Sequence, residues 1–201
     1  MRQSLVWLKD AGAELTEVEL TPGRLTATGT AIGADPLPYR LDYELVTGDD
    51  YATVSLLVST SGNGWRRRLE LRRDGDGTWK AAAEGEGDLG RDLPAPGGDL
   101  DQLAGAVDCD LGLSPLTNTM PVLRHGLLRG GGPVDLVMAW VSVPDLAVFP
   151  SPQRYTHLTL GDGTALVRFE SEGFLADITF DDHGLVLDYP GIARRAAPEA
   201  R

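Results

Sequence analysis

The feature that most constrains this chain is strict alternation of apolar and polar residues, broken repeatedly by Gly and Pro. Thr16, Val18 and Leu20 alternate with Glu17 and Glu19; after Thr21-Pro22-Gly23, Leu25, Ala27, Gly29 and Ala31 alternate with Thr26, Thr28 and Thr30. A strand sends successive side chains to opposite faces, so this pattern specifies strands with one buried face. Pro22 presets φ and Gly23 accepts positive φ, which makes the break a hairpin turn. Tyr39 to Leu45, Val54 to Val58 and Trp65 to Leu71 repeat the pattern, and Asp74-Gly75-Asp76-Gly77 turns the chain into Thr78-Trp79-Lys80. Residues 84–102, rich in Gly, Pro and acids, read as a long mobile loop or a connector between two halves. Strands resume from Ala106. Pro121–Leu128 and Val134–Val141 are expected to pair across Gly130-Gly131-Gly132-Pro133. A meander follows through Gln153–Leu160, Ala165–Glu170, Phe174–Phe180 and Leu185–Tyr189, and the tail after Arg195 is expected to fray.

The only helical expectation is one or two turns within Leu100–Ala106. About eleven or twelve strands in one sheet must curl or close. The expected fold is therefore mainly β: a large antiparallel curved sheet forming a barrel or half-barrel, with little helix. Its 201 residues suit one domain over 1–201, divisible into two halves joined by the 84–102 loop.

Charge narrows the partners. Eighteen Lys and Arg against 30 Asp and Glu give a net charge of −12, which repels phosphate backbones and anionic membranes, so nucleic acid is not an expected partner. Cys109 is the only cysteine, so no intrachain disulfide forms and a reducing, cytoplasmic setting is expected. Lys9 and Asp10 interrupt the N-terminal apolar stretch before it reaches signal-peptide length. Leu136–Val141, the longest apolar run, falls well short of the roughly 18 residues a membrane helix needs.

Few residues suggest chemistry. Asp108 and Asp110 share one face of a strand, where they can serve acid–base work or pair with Arg124 and Arg154. Cys109 between them is disfavoured as a thiolate. Thr117-Asn118-Thr119 reads as turn chemistry, with Pro121 biasing Met120 towards an extended conformation; the same side chains suit sugar hydroxyls. Gln153 and Tyr155 share a face and Arg154 takes the other, with Asp108, Asp110 and Asp188 as its expected partners. His125, His157 and His183 lack ligand spacing, and Asp74–Gly77 lacks the closing Glu of a calcium loop, so no metal or cofactor is expected. Arg66-Arg67-Arg68 reads as a solvated, charge-guarded edge, and Trp7, Trp65, Trp79 and Trp140 read as core or as cavity lining.

The stretch Val107-Asp-Cys-Asp-Leu-Gly-Leu-Ser-Pro-Leu-Thr-Asn-Thr-Met-Pro-Val-Leu-Arg124 resembles the signature segment of the bacterial putative glycolipid-binding family. Pro144-Asp145-Leu146, Gln153-Arg154-Tyr155-Thr156 and Gly184–Gly191, followed by Arg194-Arg195, match in order. Weaker echoes lie at Trp7, Gly12, Glu14-Leu15, Leu69–Leu71 and Asp74–Trp79. The match is dense from Leu103 to Arg195 and thin before it. Cys109, Ala106, Ile192-Ala193 and the acidic loop depart from the family pattern. The resemblance implies a large antiparallel barrel or half-barrel, similar to bacterial carriers that hold acylated molecules in a β-lined hollow.

The resemblance and the local chemistry together nominate Asp108, Asp110, Thr117, Asn118, Thr119, Arg124, Phe149, Gln153, Arg154, Tyr155, Asp188 and Tyr189 for ligand contact, with no catalytic residue. The expected function is non-catalytic binding of a glycolipid or fatty-acyl chain. The rivals are a carboxylate-dependent enzyme acting on a sugar or lipid, and a filled barrel serving protein interaction. The Pro-bracketed segment Val143–Pro152, with Leu146, Val148 and Phe149, is expected to border the mouth of an apolar hollow as a lid.

Overall fold

The computed structural model describes residues 1–90 and 92–197. Seven strands form the first half: β1 (Arg2–Lys9), β2 (Gly12–Thr21), β3 (Arg24–Gly33), β4 (Tyr39–Thr47), β5 (Thr53–Gly62), β6 (Trp65–Arg73) and β7 (Trp79–Glu86). The second half holds β8 (Cys109–Leu111), α1 (Thr119–Arg124), β9 (Val134–Val141), β10 (Val148–Gly161), β11 (Thr164–Ser171), β12 (Phe174–Phe180), β13 (Val186–Tyr189) and β14 (Ala193–Arg195). Each half is a meander, and β1 pairs with β14 to fuse them into one 14-stranded sheet in the order β7-β6-β5-β4-β3-β2-β1-β14-β13-β12-β11-β10-β9-β8. Among the described residues β7 and β8 are its edges and do not pair, so the sheet curls without closing. All neighbours are antiparallel except β8 and β9.

The alternation is realised as read. In β4 the burial pattern marks Tyr39, Leu41, Tyr43 and Leu45 as inward and Arg40, Glu44 and Val46 as outward. The turn at Pro22-Gly23 joins β2 and β3 with Thr21 opposite Arg24, and Gly23 has φ +76°.

Several local expectations are corrected or completed. Pro121–Leu128 is not a strand: Thr119–Arg124 is helical, Met120 included, because a proline in the first turn needs no N–H partner. Gly126, at φ +64°, follows its C-cap His125. The partners of β9 are instead β8 and β10. The N-terminal stretch, read above only for a leader, is strand β1. Of the segment 84–102, residues 84–86 end β7; the part after it serves as the connector between the halves and is pinned, since Gly97 N–H donates to Leu146 O and Val148 N–H to Gly97 O, both at 2.9 Å. Finally, Arg67 is partly buried, and its guanidinium donates to the carbonyls of Arg66 (2.7 Å), Glu86 (2.6 Å) and Gly87 (3.1 Å), tying down the end of β7. Residues 198–201, most of the tail expected to fray, lie outside the described residues.

The segment Val143–Pro152 is not a separate lid, since its second half is strand. Val148–Pro152 is the first part of β10, paired to β9 from Val148 opposite Val141. β11 joins β10 only from Gln153 onward, so Pro150 and Pro152 sit where that side of β10 lacks a β11 partner and a missing N–H costs nothing. Leu146 and Val148 are core residues, while Phe149 stands on the opposite face against Trp140, ring centroids 6.1 Å apart.

The space enclosed by the curled sheet is filled by side chains from its second half. Leu103, Leu111, Leu116, Met120, Val122, Leu127 and Leu146 are all 0–1% exposed and belong to one core with the inward residues of both meanders. This explains the unbroken apolar run of β9. The β8–β9 edge turns into the interior, so both its faces are largely covered.

Candidate functional site

The segment from Asp108 to Arg124 crosses the interior between the two halves. Ser114 anchors its turn: its hydroxyl donates to Glu14 Oε1 (2.7 Å), which also accepts from Tyr43 (3.0 Å) and Thr16 (3.2 Å), while Lys9 Nζ lies 2.7 Å from Oε2. Glu14 is thus a buried, fully partnered carboxylate. Sequence reading noted Glu14 only as an echo of the family pattern and gave it no partners, because one Glu in an alternating strand resembles any other.

Asp108 and Asp110 go to different places. Asp108, 1% exposed, takes both terminal nitrogens of Arg124, with Nη1 donating to Oδ2 at 2.5 Å, and Arg124 Nε donates to Asp50 O at 2.8 Å. Burial pushes the Asp108 carboxyl up, and the guanidinium pulls against it. Asp110 meets no guanidinium. Its Oδ1 accepts from Thr117 Oγ1 (2.8 Å) and its Oδ2 from Gln153 Nε2 (2.7 Å). The Tyr155 hydroxyl donates to Asn118 Oδ1 (2.9 Å) and lies 3.1 Å from Gln153 Oε1, which completes a polar network spanning β8, the turn before α1 and β10. Burial raises the Asp110 pKa, the Thr117 and Gln153 bonds oppose the rise, and Asp108 adds to it. The tyrosines respond in turn: burial, then the charge of Asp110, raises both Tyr155 and Tyr189.

This network forms one side of a cavity of about 330 Å³. Asp110, Asn118 and Gln153 give it a polar floor; Trp140, Phe169, Phe174 and Tyr189 give it aromatic walls; Leu113, Glu172 and Ile192 also line it. The rings support one another, with Phe169 centroids 5.2 Å from Tyr155 and 6.0 Å from both Phe174 and Tyr189. Asp110, Trp140 and Phe149 stand opposite one another across β8, β9 and β10. Three larger hollows are present among the described residues: two, of about 420 and 490 Å³, adjoin on the outward face of β1–β6 and share Glu17, Thr28 and Glu44, and a third, of about 390 Å³, is lined by Val107, Asp108, Asp135, Leu136, Met138 and Pro152. The first two are troughs between solvated side chains, and in the third the Asp108 carboxylate is already held by Arg124, so the smaller cavity carries the functional argument.

Of the nominated residues, Asp110, Asn118, Gln153 and Tyr189 line this cavity, and Thr117 and Tyr155 hold them from behind. Phe149 backs Trp140 at the rim. Thr119 is fully buried without a hydrogen-bond partner for its hydroxyl. Asp108 and Arg124 form a separate pair. Asp188 lies on the outward side, 3.6 Å from Arg194. Arg154 does not pair with the acidic signature: it forms an exposed two-pronged pair with Asp135 (2.6 and 3.0 Å), because the alternation that turns Gln153 and Tyr155 inward turns Arg154 out. Sequence reading missed Phe169 and Phe174, which are indistinguishable from core aromatics in a strand.

Burial pushes the Cys109 thiol up to about 12, and both neighbouring aspartates add to it. Among the described residues no three His, Cys, Asp or Glu side chains are grouped to hold a metal ion. Among them, too, no helix is long and apolar enough to cross a membrane.

A family model described as Putative glycolipid-binding matches residues 4–195. The crystal structure of a DUF1089 family protein from Pseudomonas aeruginosa is similar, with 29% identity, a TM-score of 0.67, and coverage of 91% of this chain and 92% of that one. No curated protein matches the chain. With the family model running from β1 to the last residue of β14, across both meanders and every residue of the cavity, the chain belongs to the Putative glycolipid-binding family.

Proposed function

We propose that the protein binds the sugar headgroup of a glycolipid in the cavity beside Asp110, without turning it over. The observation that carries this is the joining of a buried hydrogen-bonding floor to aromatic walls in one hollow. Sugars offer hydroxyls to the floor and apolar C–H faces to the rings. A carboxylate accepts about four hydrogen bonds, and Asp110 takes one on each oxygen from the protein, so acceptor capacity remains for a ligand. The volume lies at the small end of ligand sites, which suits a headgroup better than a long chain.

In this reading the acyl chain does not enter the curled sheet, whose interior side chains fill. It leaves along the apolar rim, where Leu113 and Phe149 are each 41% exposed. Binding without catalysis is supported by the commitment of Asp108 to Arg124, which withdraws the second carboxylate of the signature from the cavity. A cytoplasmic setting accords with a single, buried, reduced thiol.

Trp140 provides the test. Titrating the protein with an alkyl glucoside below its micelle concentration should change tryptophan fluorescence saturably, and Trp140→Ala should abolish the change. A fatty acid of equal chain length should bind more weakly. Saturable binding of the fatty acid with none of the glucoside would overturn the headgroup assignment.

A further inference from the structure

Among the described residues Asp110 is the only carboxylate on the cavity floor, and no cationic side chain pairs with it. No Lys, Arg or His among the described residues lines the cavity; its second acid, Glu172, stands at the exposed mouth. The direct partners of Asp110 are a hydroxyl and an amide, and the nearest charge acting on it is another carboxylate, Asp108. Burial therefore raises its pKa, the usual response of an ionised group that lacks a counter-charge. Aromatic rings, Trp140 and Tyr189 among them, line the same cavity, and ring faces attract cations through their quadrupoles. A carboxylate without a cation, in a cavity lined by rings, with no basic side chain nearby, is the complement of an ammonium group.

Resting on the headgroup reading above, we propose that the sugar bound here is an amino sugar whose protonated amine pairs with Asp110. A phosphate, sulfate or carboxylate headgroup would bring an uncompensated charge against Asp110 and Glu172. Ethanolamine and choline phospholipids also offer an ammonium, but they carry a phosphate beside it and meet the same repulsion. The net charge of −12 adds a long-range preference for cationic ligands.

The experiment compares three alkyl glycosides of one chain length by calorimetry at pH 7: a 2-amino-2-deoxyglucoside, its N-acetyl derivative and the plain glucoside, with phosphoethanolamine as a fourth probe. The amine should bind about tenfold tighter than the other two sugars, the gain expected of one charge-assisted hydrogen bond. Phosphoethanolamine should bind more weakly than any of them. Asp110→Asn should bring the three sugars to a common affinity.

A measurement on the unmodified protein guards against a variant that folds poorly. Pairing a cation with a carboxyl of raised pKa displaces its proton where that carboxyl is still partly protonated, so as the titrations are repeated at falling pH the heat of amine binding should come to vary with the ionisation enthalpy of the buffer more than that of glucoside binding. Equal affinity for amine and glucoside overturns the amino-sugar inference and leaves headgroup binding standing. Phosphoethanolamine binding as tightly as the amino sugar overturns the sugar as the source of the ammonium. No binding by any sugar removes both proposals.

Discussion

Asp108 and Asp110 are two residues apart at the start of β8; Asp108 is buried, and Asp110 is half-buried at the cavity. The carboxylate of Asp108 is fully engaged: Arg124 grips both its oxygens, and that same guanidinium reaches across to the Asp50 carbonyl. The neighbourhood of Asp110 is open: two neutral donors hold its oxygens, and a cavity lies in front. The difference lies in what sits opposite, since α1 delivers Arg124 to one, whereas β10 and the turn before α1 deliver Gln153 and Thr117 to the other. A buried charge with a matched partner is part of the framework. One held only by neutral donors retains the capacity to take something else.

The comparison breaks most visibly at Arg124. Arg124→Met leaves Asp108 buried without its cation and should cost about 3–5 kcal/mol, read as a fall in the denaturant midpoint. A buried carboxylate stripped of its partner takes up a proton, so the deficit should shrink as pH falls. A variant as stable as the wild type at neutral pH would mean that the pair contributes nothing to the framework.

Asp110→Asn should change stability far less, by about 1 kcal/mol or under, since one hydrogen bond is exchanged for the relief of a buried charge. Its pH dependence sharpens the contrast. The folded pKa of Asp110 is raised, so between the unfolded value of about 3.9 and the folded one the native state holds a proton that the unfolded chain has lost. The Asp110 contribution therefore favours the fold below that window and is lost as pH rises through it. Melting curves of wild type and variant should draw together at neutral pH relative to acid, with wild type gaining on the variant as pH falls. A wild type that loses ground to Asp110→Asn on acidification would show that the carboxylate is stabilised in the native state, contrary to the geometry.

The smallest effect is expected at Arg154, whose pair with Asp135 is solvated on both sides. Arg154→Met should leave the denaturant midpoint close to that of the wild type, and high salt should erase what difference there is. A loss comparable to that of Arg124→Met would mean that exposure does not separate the two arginines.

Much of this was legible beforehand, unevenly. The hairpin from Thr16–Leu20 to Leu25–Ala31 was readable because alternation and a Pro-Gly turn are local signals. The sharing of a face by Gln153 and Tyr155 followed from the same alternation and put both in one network. The helix was not readable: α1 has six residues, too few for a 3.6-residue period to show against its apolar neighbours. The aromatic walls were equally opaque, since Phe169 and Phe174 alternate as core residues do and only their position beside Asp110 distinguishes them.

The amino-acid sequence by itself determined that this chain is mainly β, where most of its turns fall and which residues of each strand look the same way. Those properties depend on neighbours a few positions apart. The tertiary structure alone decided that β1 meets β14, that the β8–β9 edge and α1 fill the curled sheet, and that Arg124 rather than Arg154 answers Asp108. These are pairings across long stretches of chain, and alternation states only that a side chain faces inward, not which side chain it will meet there.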